Sequence, residues 1–247
     1  MEIVQAVAVN TATAGGFKSF MDAADTYYSG IDASLTNDEL ISALSTLVQS
    51  GKTVLSYDGV WEAFKEVDKY LPGYPCDSDT SMIPDIYSGY CWTPEKNVSS
   101  PGRGECGNYK GEGSCYNREH SWPKSWFGGF DAGKDAQTDL FELWPSDGYV
   151  NSLRASLPFG YVKEGTETYT STNNSKIGTC KTDESAGKCF EIADNLKGDL
   201  ARTYFYLSVA YRNKWSCCDE AGVDKWNIKP WMEQDMRAWH AGDPVDD

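Results

Sequence analysis

The segment of this sequence that offers chemistry runs from Tyr116 to Phe127 and places a carboxylate beside an imidazole, at Glu119 and His120. In extended backbone, neighbouring side chains point to opposite sides of the chain, so these two would not both bind one ion directly. A metal ion held by Glu119 and a water molecule activated by His120 would divide the roles that phosphodiester hydrolysis requires. Alone, the pair is a weak signal, because such a dipeptide is more often a solvated edge or a hydrogen-bonded core histidine.

A second polar group follows further along the chain. Leu140 to Trp144 predict a short strand, Ser146 is of the residue type that caps a helix N-terminus, and Asn151 would then lie on the first turns of that helix. A strand carrying the base, a second strand and a helix supplying one more ligand make a ββα-metal arrangement. The two segments together therefore predict a metal-dependent hydrolytic site.

The elements that must position these groups are predicted to be mostly helical. A capping box at Thr36 and Glu39 indicates the start of one helix. Further helices are predicted from Asp58 to Tyr70 and from Gly198 to Asn213. The residues predicted to face the core are Leu40, Ile41, Leu44, Leu47 and Val48 in the first helix, Val60, Trp61, Phe64 and Val67 in the second, and Leu200, Tyr204, Leu207 and Tyr211 in the third.

The order of the predicted elements is helices, then a region of short strands and loops, then a closing helix, which favours an α+β fold. We expect a single domain over residues 1–247. Within it, a helical scaffold would span about 16–72, a ββα core about 114–160 and the closing helix about 198–214.

The chain has eight cysteines and only two histidines. An even set without C-x2-C pairs favours disulfides over zinc and therefore an oxidising compartment, either secreted or periplasmic. Cys106 to Cys115 and Cys180 to Cys189 each span nine positions, so each pair can close a local loop. A bond between adjacent cysteines would close a strained ring, so Cys217 and Cys218 are each expected to bond back towards Cys76 and Cys91.

Composition excludes several other classes of protein. The net charge of −15 over 247 residues is opposite in sign to that of a sequence-reading DNA-binding module. No apolar run approaches the ~20 residues that a membrane-spanning helix needs. The start at Met1 lacks the features of a signal peptide and predicts a mature secreted form with an added methionine. We expect a soluble protein without a membrane partner and, in solution, a monomer.

Several blocks of the sequence resemble the endonuclease I family, which comprises secreted and periplasmic non-specific nucleases of the ββα-metal superfamily. The matching blocks are Asn117–Phe127, Trp144–Asn151, Lys197–Tyr206, Asp85–Gly89 and Ser56–Trp61. They occur in the same order as in the family, and the resemblance covers roughly residues 40–245.

The resemblance implies a catalytic role for His120 as general base, with Glu119 and Asn151 as the protein ligands of one divalent cation. A carboxylate and an amide oxygen suit Mg²⁺, with Mn²⁺ or Ca²⁺ as alternatives. The implied substrate is DNA, with RNA as a second candidate, and the implied products carry 5′ phosphates. Where many members have two histidines, this chain has Phe141 and Glu142.

The arginine that stabilises the transition state in the family is not placed by the sequence. Three basic residues near the motif, Arg118, Lys124 and Arg154, are the candidates for substrate or transition-state contacts, although single basic residues are usually solvated surface. Residues 103–163 carry a net charge of −1, against −14 over the rest of the chain. Repulsion of a polyanionic substrate is therefore weakest around the motif.

Two other functions remain compatible with the composition. One is a secreted acidic glycosidase that uses paired carboxylates, and the other is a disulfide-rich binding module without chemistry. A chelator distinguishes them, because it abolishes the activity of a metal-dependent nuclease and leaves a two-carboxylate glycosidase active. The nuclease interpretation alone uses Glu119, His120 and Asn151 together.

Overall fold

The computed structural model describes residues 26–68, 76, 81–94, 104–106, 108–128, 134–215 and 217–245. Within these residues the chain forms helices and small antiparallel sheets, as the α+β prediction requires. The α-helices are α1 (Asn37–Gln49), α2 (Gly59–Val67), α3 (Gly148–Arg154), α4 (Lys197–Ala210) and α5 (Pro230–Gly242). None of the helices in the described ranges is long and apolar enough to cross a membrane.

The three helices expected from hydrophobic periodicity are present, with differences in detail. Thr36 is the N-cap of α1, but its side chain makes no capping hydrogen bond, and the apolar face of this helix is only partly buried. Helix α2 ends at Val67. The sequence predicted that Val67 faces the core, but its side chain is 59% exposed. The predicted stop of this helix at residues 71–73 lies outside the described residues. In α4, Leu200, Tyr204 and Leu207 are buried as predicted; the helix ends at Ala210, before the predicted end at Asn213, so Tyr211 is its C-cap residue and is also buried.

In the part of the chain that the structure describes, the strands are short and pair in four separate antiparallel sheets. Strand β1 (Ile83–Pro84) pairs with β2 (Cys91–Trp92), and β3 (Tyr116–His120) pairs with β4 (Leu143–Asp147). A three-stranded sheet consists of β5 (Tyr169–Thr170), β6 (Lys176–Thr179) and β7 (Lys188–Glu191). Strand β8 (Val223–Asp224) pairs with β9 (Asn227–Ile228). The predicted strand at 140–144 therefore lies three residues further on, as β4.

Two hydrophobic clusters hold the β3–β4 pair. The larger one surrounds α4, against which α5 and α1 pack, and includes Tyr87, Trp122, Phe159 and Tyr204. The smaller one joins α2 to the other face of the strands through Val60, Trp61, Phe64, Tyr116 and Leu143. Burial of apolar surface on both sides of the pair fixes its position.

Four disulfides lie within the described residues. Cys106–Cys115 and Cys180–Cys189 are paired as predicted. The prediction for the remaining four cysteines is wrong, because Cys76 bonds to Cys91 and Cys217 bonds to its neighbour Cys218. The Cα atoms of Cys76 and Cys91 lie 6.0 Å apart, which is within the usual range for a disulfide, so this pair closes its own loop.

Candidate functional site

The pairing of β3 with β4 brings the two motif segments together. Glu119 lies opposite Trp144, and His120 lies opposite Leu143 at the end of β3. Helix α3 follows β4 directly and carries Asn151 in its first turns. The expected strand, strand and helix order is therefore present.

The sequence suggested Ser146 as the N-cap of α3, but in the structure the N-cap is Asp147. The Asp147 carboxylate accepts hydrogen bonds of 2.9 Å from the backbone N–H groups of Tyr149 and Val150, and one of 2.7 Å from that of Gly113. A carboxylate at this position satisfies free N–H groups and interacts favourably with the positive end of the helix dipole. Ser146 instead remains in the strand and is fully buried.

Glu119 and His120 make their contacts on opposite sides of β3, as expected for neighbours in a strand. The Glu119 carboxylate meets Tyr87 and Arg154 on the side of the main core. The His120 ring lies against Tyr57, with 5.9 Å between the ring centroids and an angle of 26° between the planes. The two groups are therefore available to separate partners.

Glu119 is almost completely buried, but within the described residues only one of its two carboxylate oxygens accepts hydrogen bonds. Its Oε1 accepts hydrogen bonds from the Tyr87 hydroxyl at 2.5 Å and from Arg154 Nη1 at 2.7 Å. Burial raises the pKa of Glu119, while Arg154 and the Tyr87 hydroxyl oppose this shift by stabilising the charged form. Among the described residues, no further hydrogen bond ends on Oε2, so this oxygen is free to bind a ligand.

Arg154 is fully buried, and its guanidinium group donates hydrogen bonds to other groups of the protein. Its Nη1 also donates to the His120 carbonyl at 2.9 Å, its Nη2 to the Ser121 carbonyl at 2.7 Å and its Nε to the Leu157 carbonyl at 3.1 Å. This arrangement corrects the expectation that Arg154 is a candidate for contact with substrate. Its side chain instead ties the end of β3 to the end of α3.

The environment of His120 fixes which of its nitrogen atoms is basic. Nε2 lies 3.2 Å from the Gln137 carbonyl oxygen, which can only accept, so Nε2 carries the proton and Nδ1 keeps its lone pair. Burial, together with the positive charge of Lys124, lowers the pKa of His120 to about 3. The imidazole is therefore neutral near pH 7, as a proton acceptor must be.

Asn151 is the second oxygen donor that the sequence predicts for a cation. Its Nδ2 donates to Ser146 Oγ at 3.1 Å, and no group in the described ranges donates a hydrogen bond to its Oδ1. Over the described part of the chain, no group of three or more His, Cys, Asp or Glu side chains is arranged to hold a metal ion. A carboxylate and an amide oxygen fit a hard cation that keeps most of its water, as Mg²⁺ does.

The two other basic candidates lie on the His120 side of β3. Arg118 lies over the ring of Tyr57 at 3.5 Å from the centroid and over that of Trp61 at 4.4 Å. Lys124 donates a hydrogen bond of 2.9 Å to the Tyr57 hydroxyl. Both cations are thus gathered around one aromatic ring.

The two residues that replace the family's histidines have different positions. Phe141 is 69% exposed and lies beside Tyr206, with 5.1 Å between the ring centroids. Glu142 is fully buried, and its Oε1 accepts a hydrogen bond from the backbone N–H of Trp122 at 3.1 Å. Burial raises the pKa of Glu142 well above its ordinary value, with the charge of Glu119 adding to the shift.

Two tyrosines of this site were missed as functional residues by reasoning from the sequence. Tyr87 and Tyr57 lie in the blocks Asp85–Gly89 and Ser56–Trp61, which carried the resemblance without an assigned role. Their contacts with Glu119, Arg118 and Lys124 join segments more than 30 residues apart along the chain. The only sequence signal for them was their presence in those blocks.

Comparison with known proteins gives a match to the family model Endonuclease I over residues 36–247. The chain is 32% identical over 227 residues to an extracellular ribonuclease of Bacillus subtilis (strain 168), covering 90% of this chain and 68% of that protein. It is 30% identical over 226 residues to an extracellular ribonuclease of Bacillus amyloliquefaciens, covering 90% of this chain and 67% of that protein. The match spans β3, β4 and α3 with all residues of the site.

Proposed function

Because the chain belongs to the endonuclease I family, we propose that it is a secreted endonuclease that hydrolyses DNA and RNA without sequence preference. The reaction uses one divalent cation, with His120 as general base, and leaves 5′ phosphates. The observation that carries this proposal is the placement of Glu119 and a neutral His120 on opposite sides of the same strand end. That placement separates binding of a cation from activation of water.

His120 takes a proton from a water molecule through Nδ1. The hydrogen bond from Nε2 to the Gln137 carbonyl sets the tautomer and orients the ring. The neutral imidazole has a lone pair that can accept the proton, the hydroxide that results attacks phosphorus in line, and the 3′ oxygen leaves with a proton taken from water. The Tyr57 ring packs against the imidazole and limits its motion.

Glu119 and Asn151 would hold the cation, through Oε2 and Oδ1 respectively. Mg²⁺ is the first choice for such oxygen donors, and Mn²⁺ or Ca²⁺ are alternatives. A divalent ion at this position supplies positive charge that stabilises the negative charge developing on the phosphoryl group and on the departing 3′ oxygen. Arg154 and Tyr87 hold Oε1 of Glu119, so the carboxylate keeps one orientation.

Attack by water makes no use of the ribose 2′ hydroxyl, so the same chemistry serves DNA and RNA. The two Bacillus relatives are named ribonucleases, which supports RNA as a substrate. A mechanism that used the 2′ hydroxyl as nucleophile would instead give 2′,3′-cyclic phosphates and would exclude DNA. The chemistry of the product ends therefore distinguishes the two mechanisms.

Secretion is supported by two observations. Four disulfides are typical of proteins that fold in an oxidising compartment. Both relatives are named extracellular proteins. Family membership also favours a nuclease over the glycosidase and the binding module that composition alone allowed.

The test is digestion of plasmid DNA and of an RNA oligonucleotide, with mass spectrometry of the product ends. We expect cleavage of both, 5′-phosphate ends, complete inhibition by EDTA and recovery on addition of Mg²⁺, Mn²⁺ or Ca²⁺. His120→Ala protein purified in the same way controls for contaminating nucleases. Cleavage that persists in EDTA, or RNA products with cyclic phosphates, would overturn the proposal.

A further inference from the structure

The ring of Tyr57 is the centre of a group of charged side chains beside His120. The Arg118 guanidinium lies 3.5 Å from its centroid, and the Lys124 ammonium lies 4.1 Å from it. The Lys124 ammonium also donates to the Tyr57 hydroxyl at 2.9 Å, and Arg118 Nη1 donates to the Tyr57 backbone carbonyl. One residue thus fixes two cations through its ring, its hydroxyl and its backbone.

The positive charge of this group is poorly compensated within the protein. Among the described residues, Lys124 forms no ion pair with a carboxylate, and Arg118 forms only a 3.9 Å pair with Asp58, whose side chain is 92% exposed. An exposed pair of this kind contributes little and is screened by salt. In a chain of net charge −15, this is unusual: within the described residues Lys124 has no carboxylate partner, and Arg118 has only the exposed Asp58 within 4 Å, with Glu105 acting on it from further away. The group can therefore accommodate a further anion.

Holding two like charges close together is unfavourable unless an opposite charge lies between or beside them. The Tyr57 ring lessens the repulsion because its face attracts cations, but it carries no net charge. The ring is also already contacted by Arg118, Lys124 and His120, so it does not offer a free face for stacking on a base. Its contribution is to hold the cations and not to read the bases.

We propose that Arg118 and Lys124, held on Tyr57, form a subsite for a backbone phosphate of the nucleic acid on the His120 side of β3. Tyr57 is the positioning residue of this subsite. The subsite is separate from the donors Glu119 and Asn151, whose contacts lie on the other side of the strand and on α3. The inference rests on the proposed function and adds where the substrate strand lies relative to the two catalytic groups.

A phosphate contact has a signature that a structural contact lacks. Neutralising a phosphate releases counterions, so each contact that is lost lowers the dependence of log Kd on log salt by about 0.7 for a single strand. The effect is uniform across sequences because the backbone is common to all of them. Loss of a merely structural contact would change stability without changing this slope.

The experiment measures binding of a fluorescein-labelled oligothymidylate by anisotropy over a range of NaCl concentrations, in EDTA. His120→Ala is the background, so that no cleavage occurs. We expect Lys124→Met to weaken binding about threefold to tenfold at low salt and to lower the slope by about 0.7. Tyr57→Leu should have a similar effect, whereas Lys124→Arg should keep the slope.

Lys163→Met is the matched control, because it removes one ammonium whose partner is the carboxylate of Glu184, and neither residue belongs to the group around Tyr57. We expect the slope of this variant to equal that of the background. Tyr57→Phe keeps the ring and removes only the hydroxyl, so it tests the same position if Tyr57→Leu does not fold. We expect it to give an intermediate slope. Thermal melting of each variant confirms that it is folded.

Unchanged slopes for both Lys124→Met and Tyr57→Leu would overturn the subsite, and so would absence of oligonucleotide binding by the background protein. Either result would leave the proposed function intact if the wild-type protein cleaves plasmid DNA in Mg²⁺. Absence of that cleavage would overturn the proposed function and this inference with it. A lower slope for the two variants, with the control unchanged, would establish the subsite.

Discussion

Arg154 Nη1 donates a hydrogen bond of 2.7 Å to Glu119 Oε1 in the interior of the protein, where both side chains are buried. The pair joins the last residue of α3 to the strand that carries His120. A buried ion pair is weak support for net stability, but removal of one partner leaves an uncompensated charge. The pair therefore fixes the orientation of the carboxylate, and the stability of the protein depends strongly on the presence of both partners.

The first prediction is that Arg154→Met destabilises the protein by about 3–5 kcal/mol, because it leaves the Glu119 carboxylate buried without a cation. Urea denaturation measures the free energy of unfolding. The matched control is Arg237→Met, whose partner Glu233 lies on an exposed helix face, and it should cost less than about 1 kcal/mol.

The double variant Arg154→Met with Glu119→Gln tests the cause. Because glutamine carries no charge, the double variant should be more stable than Arg154→Met alone. If the two substitutions were simply additive, the ion pair would not be the source of the loss.

The second prediction concerns His120. His120→Ala should lower kcat by about 10²–10⁴-fold, the range typical of a lost general base. Binding of Mg²⁺, measured by titration calorimetry, should stay within error of the wild-type value, because His120 contacts Gln137 and Tyr57 and lies on the other side of β3 from Glu119. Loss of cation binding by this variant would instead make His120 a ligand.

Reasoning from the sequence placed the candidate residues on β3 and α3 but did not predict the contacts that hold them. The alternation of side chains in a strand was sufficient to place Glu119 and His120 on opposite sides, since that depends only on local backbone geometry. Tyr57 and Tyr87 reach the site through the fold, and no local pattern encodes those contacts. The sequence made Arg154 a candidate for substrate contact, with solvated surface as the alternative, because most arginines are exposed. In the structure its three nitrogen atoms instead donate to three carbonyl groups and one carboxylate.

Element boundaries were predicted least well, for reasons that are visible in the structure. Ser146 and Asp147 are both good N-cap residues, and only the register of β4 against β3 decides that Asp147 caps α3. Helix α5 was not predicted at all. Pro230 at its first turn and the spacing of Met232, Met236 and Trp239, all buried in the main core, would have indicated it.

The third prediction concerns the oxygen donors. Glu119→Gln and Asn151→Leu should each weaken binding of Mg²⁺ by at least the 10–100-fold that is typical for loss of a partner in the outer shell of a metal site. Excess Mg²⁺ or Mn²⁺ should then restore part of the activity. Asn151→Asp keeps an oxygen donor and should retain binding, which makes it the matched control. Equal rescue of His120→Ala by excess metal would contradict the separation of roles between ligand and base.

The last prediction joins a disulfide to the position of the site. The Cys106–Cys115 bridge lies against Gly148, the first residue of α3, and a Cβ atom at position 148 would collide with Cys106 Sγ. The Gly148 N–H also donates to the Cys115 carbonyl at 2.9 Å. The bridge therefore supports the start of the helix that carries Asn151 and Arg154. We expect replacement of Cys106 and Cys115 together by serine to lower kcat/KM more than its effect on stability alone explains.

The Cys180–Cys189 bridge is a close control, because its two cysteines are also nine positions apart and it packs with Val162 in a separate small cluster. In the chain-entropy model, loops of equal length contribute equally to stability, about 2–3 kcal/mol each. The two double serine variants should therefore melt at similar temperatures but differ in activity, measured well below both melting temperatures. Because the two variants should have equal stability, a larger loss of kcat/KM in the variant that lacks Cys106–Cys115 would come from the effect of that bridge on the position of α3. Equal losses of activity would mean that this bridge does not position the site.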